Sequence, residues 1–276
     1  MPNDRRAMLK AFAGASLASL GLVNQVQASQ TAEAPSMEPL LGTGLDPFAV
    51  YRQMFASSAS GDECCWWFMG ALPLIVDDVG PVDTVQEETL RAHRTENVGE
   101  DLTHLHWREV GVFRDIATGL IPEKWFNPIT GQAVPRLSSL KGGPAHYTVR
   151  RSGKGIAVEL TLPNSQVQGI TVSATINGDR VCLTHIEDKV RAMAPNPPTT
   201  RRTTFKIYAS LAELRGGNPS VSARGFYGVR EMRTGSIFVN GLMQKARMDE
   251  KVNPLAWTRA EMAYPTFFEG NRIATP

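Results

Sequence analysis

The stretch VQGITVSATINGDRVCLTHIED, residues 167–188, decides the fold class. Apolar and polar residues alternate on both sides of Asn177-Gly178, a pair that favours the tight turn of a β-hairpin. If these two residues form the turn, Ile170 faces His185 across the hairpin. The segment therefore predicts two antiparallel strands with an apolar inner face, and His185 lies at the end of that face.

Further strand and turn signals surround this hairpin. Turn-forming residues cluster at 115–119, 127–131 and 152–155, and the apolar run at 64–70 suits a buried strand. The remaining strands are predicted at residues 102–115, 120–126, 147–151, 156–162 and 204–210. We interpret residues 191–202 as a loop, because they contain Pro195, Pro197 and Pro198.

Helical patterns lie towards the two ends of the mature chain. Apolar residues recur at helical spacing within residues 46–59, and residues 254–264 carry a proline in the first turn. The predicted fold class is mainly β, with short N- and C-terminal helices. Its antiparallel meander either closes into a calycin-like barrel or folds as a sandwich.

The N-terminus resembles a twin-arginine signal peptide. Arg5-Arg6 precede an uncharged, mostly small or apolar stretch at residues 11–23, which is too short for a membrane-spanning helix. Val26-Gln27-Ala28 supplies the small residues that signal peptidase reads. We expect export to the periplasm by the twin-arginine machinery and cleavage after Ala28, the alternative being a retained amphipathic helix.

The predicted organisation is a signal peptide at residues 1–28, a linker at 29–44 and a single β-rich domain at 45–276. The chain has 29 basic and 27 acidic residues, and the leader holds three of the former and one of the latter, which leaves 26 of each. This balance argues against nucleic acid as a partner. The best further membrane candidate, residues 68–76, is short and contains Pro73, so no stable membrane span is expected in the mature form.

Three cysteines leave two interpretations open. Cys64 or Cys65 could form a disulfide with Cys182 in an oxidising compartment, or all three could be buried thiols. Neighbouring cysteines rarely bond to each other, because the ring that they would close is strained.

A motif in the middle of the chain resembles a known family. The pattern REV…D..TG…W.NP.TG, residues 108–131, resembles an exported bacterial family catalogued as a domain of unknown function, the one numbered eighteen thirty-eight. Trp67-x-x-Gly70 and residues 257–265 support the resemblance, which would cover most of residues 45–270. Residues 226–232 depart from the W-L-P-W-M segment common in that family. The family implies no particular reaction.

Glu109 is the first candidate for chemistry. On a strand over residues 103–114, alternation puts Glu109 on the apolar face with Trp107 and Phe113, and Arg108 on the other face. A carboxylate in apolar surroundings is costly unless it is paired or its pKa rises, and such groups often transfer protons. The alternative is that an arginine from a neighbouring strand neutralises Glu109.

His185 is the second candidate, either as a general base or as a core histidine with satisfied nitrogens. We name Glu109, His185 and Arg108 as candidate catalytic residues. Candidate ligand-binding residues are the aromatic and basic groups of the predicted strands, namely Trp67, Trp107, Trp125, Tyr208, Arg224 and Tyr227.

His104 and His106 lie two residues apart on the outer face of the same strand and could share a metal ion. A metal site needs at least a third ligand, and no recognisable spacing supplies one. We therefore expect no bound zinc or iron and no cofactor, and we interpret this face as a polar, solvent-facing one.

The absence of several catalytic motifs disfavours some classes of enzyme. The sequence lacks a G-x-S-x-G elbow, a Walker loop, a G-x-G-x-x-G turn and an H-E-x-x-H helix, which disfavours common serine hydrolases, NTPases and nicotinamide dehydrogenases. The first hypothesis is a periplasmic barrel enzyme that acts on a small apolar or aromatic molecule by acid/base chemistry, as an isomerase, cyclase or lyase. The second is a lipocalin-like binding protein without catalytic activity.

Overall fold

The structure is a computed structural model. It describes residues 36–76, 80–115, 118–120, 124–126, 133–135, 145–162, 166–193, 196–233, 235–247 and 262. The predicted leader, the turn at 127–131 and, apart from Met262, the predicted C-terminal helix lie outside these residues.

The described residues form strands for most of their length. A 3₁₀ turn at Glu38–Thr43 precedes helix α1, Pro47–Phe55, and helix α2 covers Leu211–Arg215. The strands are β1 Glu63–Val76, β2 Gly80–Asn97, β3 Leu102–Asp115, β4 Lys124–Phe126, β5 Ala133–Pro135, β6 Ala145–Ser152, β7 Gly155–Thr161, β8 Gln166–Asn177, β9 Arg180–Met193, β10 Asn196–Ser210, β11 Ala223–Arg233 and β12 Gly235–Arg247.

Ten of these strands make one antiparallel sheet in the order β7-β6-β3-β2-β1-β12-β11-β10-β9-β8. Neighbours in the sheet are mostly neighbours along the chain, and the first strand pairs with the last. The sheet curls into a nearly closed barrel. This confirms the predicted mainly β class and selects the barrel over the sandwich. The separate β4–β5 hairpin lies between β3 and β6 in the sequence.

Helix α1 packs inside the barrel. Asp46 caps it by accepting hydrogen bonds from the amides of Phe48 and Ala49, and Pro47 occupies the first turn. Its side chains are buried on nearly all sides, and Phe55 contacts the rings of Tyr147, His185 and Phe205. The helix that was predicted over residues 46–59 therefore supplies part of the core. No helix among the described residues is long and apolar enough to cross a membrane.

The hairpin of β8 and β9 forms with a different register from the predicted one. Its loop residues are Gly178 and Asp179, so Ile170 pairs with Glu187 and His185 pairs with Val172. Both favoured two-residue turns need a positive φ at the first loop position, and Gly178 adopts φ 60° there. A shift of two residues keeps each side chain on its face, and His185 still points inward.

The expectation of a loop over residues 191–202 is wrong for its described part. β9 continues to Met193 and β10 begins at Asn196, with a register shift between Asn196 and Thr199. Pairing of β10 with β11 begins only at Thr200. The two prolines at 197 and 198 therefore lie at this register shift, and an irregularity of this kind tolerates residues without a backbone donor.

All three cysteines are free thiols. Cys64 and Cys65 are buried and Cys182 is half-buried, so the disulfide interpretation is wrong in this structure. Burial raises the pKa of the Cys64 thiol to about 11, which makes it a poor nucleophile at neutral pH. The 3₁₀ turn also corrects the predicted linker at 29–44, because Met37 and Leu40 are packed into the core.

Candidate ligand site inside the barrel

The inward face of β2 carries four polar side chains in succession: Glu87, Thr89, Arg91 and His93. Their cross-strand partners on β1 run from Gly70 to Cys64 and include the buried rings of Phe68 and Trp66. An inward strand face normally carries apolar residues in a barrel of this kind. The polar face of β2 therefore needs partners inside the barrel, and the contacts that it makes define the candidate site.

Arg91 pairs with Glu109 across the β2–β3 ladder. Its Nε donates to Glu109 Oε2 at 2.6 Å, and its Nη2 contacts the same oxygen. The guanidinium also lies over the Trp107 ring, 4.5 Å from the centroid. The two side chains keep 13% and 14% exposure, so solvent reaches the pair. Of the two interpretations of Glu109, the structure shows the second, in which an arginine of a neighbouring strand neutralises the carboxylate.

His185 belongs to a second network of buried groups. Its Nδ1 lies 2.9 Å from Tyr51 Oη, and its Nε2 lies 3.1 Å from Glu187 Oε1. The hydroxyl of Tyr147 donates to the same Glu187 oxygen, and Lys189 forms an ion pair with this carboxylate. An ionised carboxylate only accepts, so Nε2 donates to Glu187, and Nδ1 shares the second hydrogen bond with the Tyr51 hydroxyl.

This network keeps Glu187 ionised. Burial alone would raise the pKa of Glu187, but Lys189 and the bond from His185 hold it well below its usual range. Burial and the Glu187 charge also raise the pKa of Tyr51 and Tyr147 well above the ordinary value. Because both ring nitrogens of His185 are engaged and its side chain is 0% exposed, it is a satisfied core histidine.

Tyr227 reaches Glu87 across two glycines. Tyr227, Gly241, Gly70 and Glu87 are successive cross-strand partners on β11, β12, β1 and β2. A Cβ on Gly241 would come within 2.3 Å of Tyr227 Cε1, and one on Gly70 within 2.7 Å of its hydroxyl. The bare backbone at both positions lets the ring lie along the barrel wall and donate to Glu87 Oε2 at 3.0 Å.

Glu87 is the carboxyl of this site that is tuned towards its protonated form. Burial raises the pKa of Glu87, and the negative charge of Glu109 raises it further. The bond from Tyr227 and the charge of Arg201 act in the opposite direction without cancelling the rise. Glu109 is ion-paired, whereas the pKa of Glu87 is shifted towards the protonated form, so Glu87 is the carboxyl of this pair that is suited to donate a proton.

Several polar atoms on the inner face of β2 and β3 have no hydrogen-bond partner among the described residues. They are Thr89 Oγ1, both ring nitrogens of His93 and Trp107 Nε1. His93 packs edge-on against Phe55 and stacks on Tyr147. An unpaired buried polar group costs about 1–3 kcal/mol. These atoms are therefore suited to bind polar groups of a molecule inside the barrel.

The sequence-predicted residues divide between the two faces. Glu109, His185, Trp107 and Tyr227 face the interior and lie in or next to the networks described above. Four others alternate with buried neighbours and lie on the outer face, namely Trp67, Arg108, Tyr208 and Arg224. The structure does not bring these four to the interior, and the arginine that pairs with Glu109 is Arg91 of the neighbouring strand. The side chain of Trp125 lies outside the described residues.

Sequence reasoning missed Glu87, Arg91 and Lys189. In β2 the polar residues face the interior, and the apolar Leu90 and Ala92 face outward, where they are buried as well. The alternation of that segment alone would have predicted the opposite orientation, with Leu90 and Ala92 facing the interior. The position of the missed residues depends on strand pairing, such as that of Gly70, in the Trp67-x-x-Gly70 motif, with Glu87, which the sequence pattern does not give.

Comparison with protein-family models, with curated proteins and with solved structures gave no match to this chain. The resemblance at residues 108–131 therefore stays a prediction, and the chemistry has to be argued from the site.

Proposed function

We propose that this protein acts on a small, largely apolar or aromatic molecule inside its barrel by proton transfer. The observation that carries the proposal is the polar inward face of β2, with Glu87 tuned towards its protonated form and unpaired polar atoms beside it. A barrel that only had to fold would gain more from apolar side chains at these positions, since buried ionised groups rarely stabilise a protein by themselves.

Each part of the site has a role in this proposal. Glu87 donates a proton to the ligand, and Tyr227 holds its carboxyl in place. Arg91 lies against Trp107, and its charge stabilises negative charge that develops on the ligand. The rings of Phe55, Phe68 and Phe205 provide apolar contact for its body. After donating its proton, the Glu87 carboxylate can take one back from another position on the ligand, so the two transfers balance in an isomerisation, a cyclisation or an elimination.

A non-enzymatic binding protein is the second candidate. The specific observation in its favour is that Glu109 is ion-paired and His185 has both nitrogens engaged, so neither is free to act as a base. In that case Thr89, His93 and Trp107 orient a ligand that leaves unchanged. For either candidate function, we also propose that the protein is exported to the periplasm, is cleaved after Ala28 and belongs to the exported family.

Native mass spectrometry of the untagged protein, compared with its Glu87→Gln variant, tests the proposal. Gln keeps the shape of the side chain and a hydrogen-bonding oxygen but cannot donate an acidic proton. For an enzyme we expect the two proteins to carry different small molecules, because the variant retains substrate. With a substrate identified in this way, turnover should fall by roughly 10²–10⁴-fold in the variant, and the wild-type rate should fall as rising pH deprotonates Glu87.

Tyr227→Phe is the matched second variant, since it leaves Glu87 intact and removes only the hydroxyl that holds it. It should turn over more slowly than the wild type and faster than Glu87→Gln. The same molecule on both wild type and Glu87→Gln, without conversion, would establish the binding protein instead. Failure to detect a bound molecule on either protein, after gentle purification, would contradict both candidates.

A further inference from the structure

The outer face of the barrel carries a second cluster that the proposed function does not use. Glu96 on β2 pairs with His104 on β3, and His106 on β3 pairs with His146 on β6. These four side chains share the outer face, because they alternate with the inward Thr95, Leu105 and Tyr147. The sheet thus gathers three of the five histidines of the chain and one carboxylate from three neighbouring strands.

The ligand atoms in this cluster are close enough to share one ion. One nitrogen each from His104 and His106 and a carboxylate oxygen of Glu96 all lie within 4.8 Å of one another. His106 Nε2 lies 2.7 Å from Glu96 Oε2. Donors around a tetrahedral zinc ion are about 3.3 Å apart, as follows from bond lengths of about 2.0–2.1 Å. Small rotations of the side chains therefore suffice to bring all three to one ion.

His146 is placed to complete the set. Its ring centroid lies 5.2 Å from that of His104, with the planes 2° apart, and 5.6 Å from that of His106. The ring of His106 is nearly buried, at 5% exposure, which fixes its orientation, whereas Glu96 is 45% exposed and gives an ion a way in. An ion arriving from solvent would therefore meet an exposed carboxylate and an imidazole that is held in one orientation.

We propose that Glu96, His104, His106 and His146 bind a divalent transition-metal ion, with Zn²⁺ as the first choice. Imidazole and carboxylate ligands suit Zn²⁺, whereas Ca²⁺ and Mg²⁺ prefer oxygen ligands. The expectation of no metal was based on the missing third ligand. Glu96 and His146 supply a third and a fourth, so the basis of that expectation no longer holds.

The position of the site indicates a structural role. Among the described residues, β6 pairs with β3 over Leu102 to Trp107, whereas β3 itself continues to Asp115. Residues 116–144 separate the two strands in the sequence. An ion held by β2, β3 and β6 would join strands that have a limited ladder in common. It would stabilise the folded chain by an amount that grows with the logarithm of the ratio of free ion concentration to Kd, since the unfolded chain does not preserve this arrangement.

The test uses untagged full-length protein, because a histidine tag would itself bind zinc. After treatment with a chelator and dialysis, the protein is titrated with ZnSO₄ by isothermal titration calorimetry. We expect one ion per chain and a rise in melting temperature with Zn²⁺. Replacement by Co²⁺ should give the strong visible absorption of a tetrahedral site.

Glu96→Gln and His104→Gln should weaken Zn²⁺ binding by more than about 100-fold, because losing even an outer-shell partner costs 10–100-fold. Both positions are partly exposed, and circular dichroism shows whether the variants are folded. The control is Glu159→Gln, an exposed carboxyl on the outer face of β7, which should bind zinc like the wild type. Absence of binding in the wild type would overturn the proposal, and so would equal affinity in all three variants.

Discussion

The ion pair between Arg91 and Glu109 is the residue-scale feature with the largest energetic consequence. Both groups are mostly buried, and the guanidinium lies over Trp107 and close to Phe68. Although burial lowers the pKa of Arg91, the charge of Glu109 raises it above the ordinary value, so Arg91 stays charged. Removing Glu109 would leave that charge without its closest partner, which is far more costly than removing both members of the pair.

We therefore predict that Glu109→Gln lowers the free energy of unfolding by roughly 3 kcal/mol. Urea denaturation at neutral pH measures this change. The double variant Arg91→Met/Glu109→Gln should recover much of the loss, because it leaves no unpaired charge at this position.

Two outcomes would contradict the interpretation that Glu109 serves only to neutralise Arg91. A Glu109→Gln protein that unfolds at the wild-type urea concentration would show that the pair has no structural weight. If the same protein also lost its turnover, Glu109 and not Glu87 would become the candidate for proton transfer.

At the scale of the element, helix α1 contributes apolar side chains to the core of the barrel. Phe55 is 2% exposed and lies against Tyr51, His93, Tyr147 and His185. The backbone carbonyl of Phe55 also accepts a hydrogen bond of 2.8 Å from Trp66 Nε1. The helix thus connects the core to the second polar network, whose Tyr51 it carries.

Truncating this ring should destabilise the protein strongly. Phe55→Ala removes a buried aromatic side chain with little room for the core to close, so we predict a loss of about 3–5 kcal/mol in the free energy of unfolding. Phe226→Ala on β11 is the matched control, since that ring is 56% exposed, and it should change stability by about 0.5 kcal/mol or less. Similar losses in both variants, measured by urea denaturation, would show that α1 is not part of the core.

At the scale of the whole molecule, β1 pairs with β12, so the first and last strands in chain order are neighbours within the sheet. At one end of this pairing Cys64 lies opposite Arg247, which is 183 residues further along the chain. Such long-range pairing makes folding slow relative to helical proteins. The twin-arginine pathway carries proteins that have already folded, which suits a barrel whose closure needs its last strand.

The export proposal gives the prediction at this scale. Changing Arg5 and Arg6 to lysine should leave the protein in the cytoplasm as an uncut precursor, because the pathway reads the paired arginines. Cell fractionation and the mass of the purified protein measure the outcome. The wild type in a host without the twin-arginine machinery should behave like the variant, and periplasmic accumulation of the variant would contradict the assignment.

The sequence by itself determined the fold class and several local features. Period-two alternation and turn residues near Gly153 and Gly178 predicted the antiparallel strands, and helical spacing predicted α1. The inward direction of Glu109 and His185 followed from alternation together with the apolar residues that share their faces. These features are local, because side-chain direction and turn geometry depend on residues close together in the chain.

Only the tertiary structure decided which groups meet. Strand pairing in the sheet brought Arg91 to Glu109, Tyr227 across Gly241 and Gly70 to Glu87, and His146 to His104 and His106. The inverted pattern of β2 hid its inward polar face, because alternation gives the two faces of a strand but not which one is inside. That choice depends on what packs against each face, and in this protein distant strands and α1 supply the packing partners.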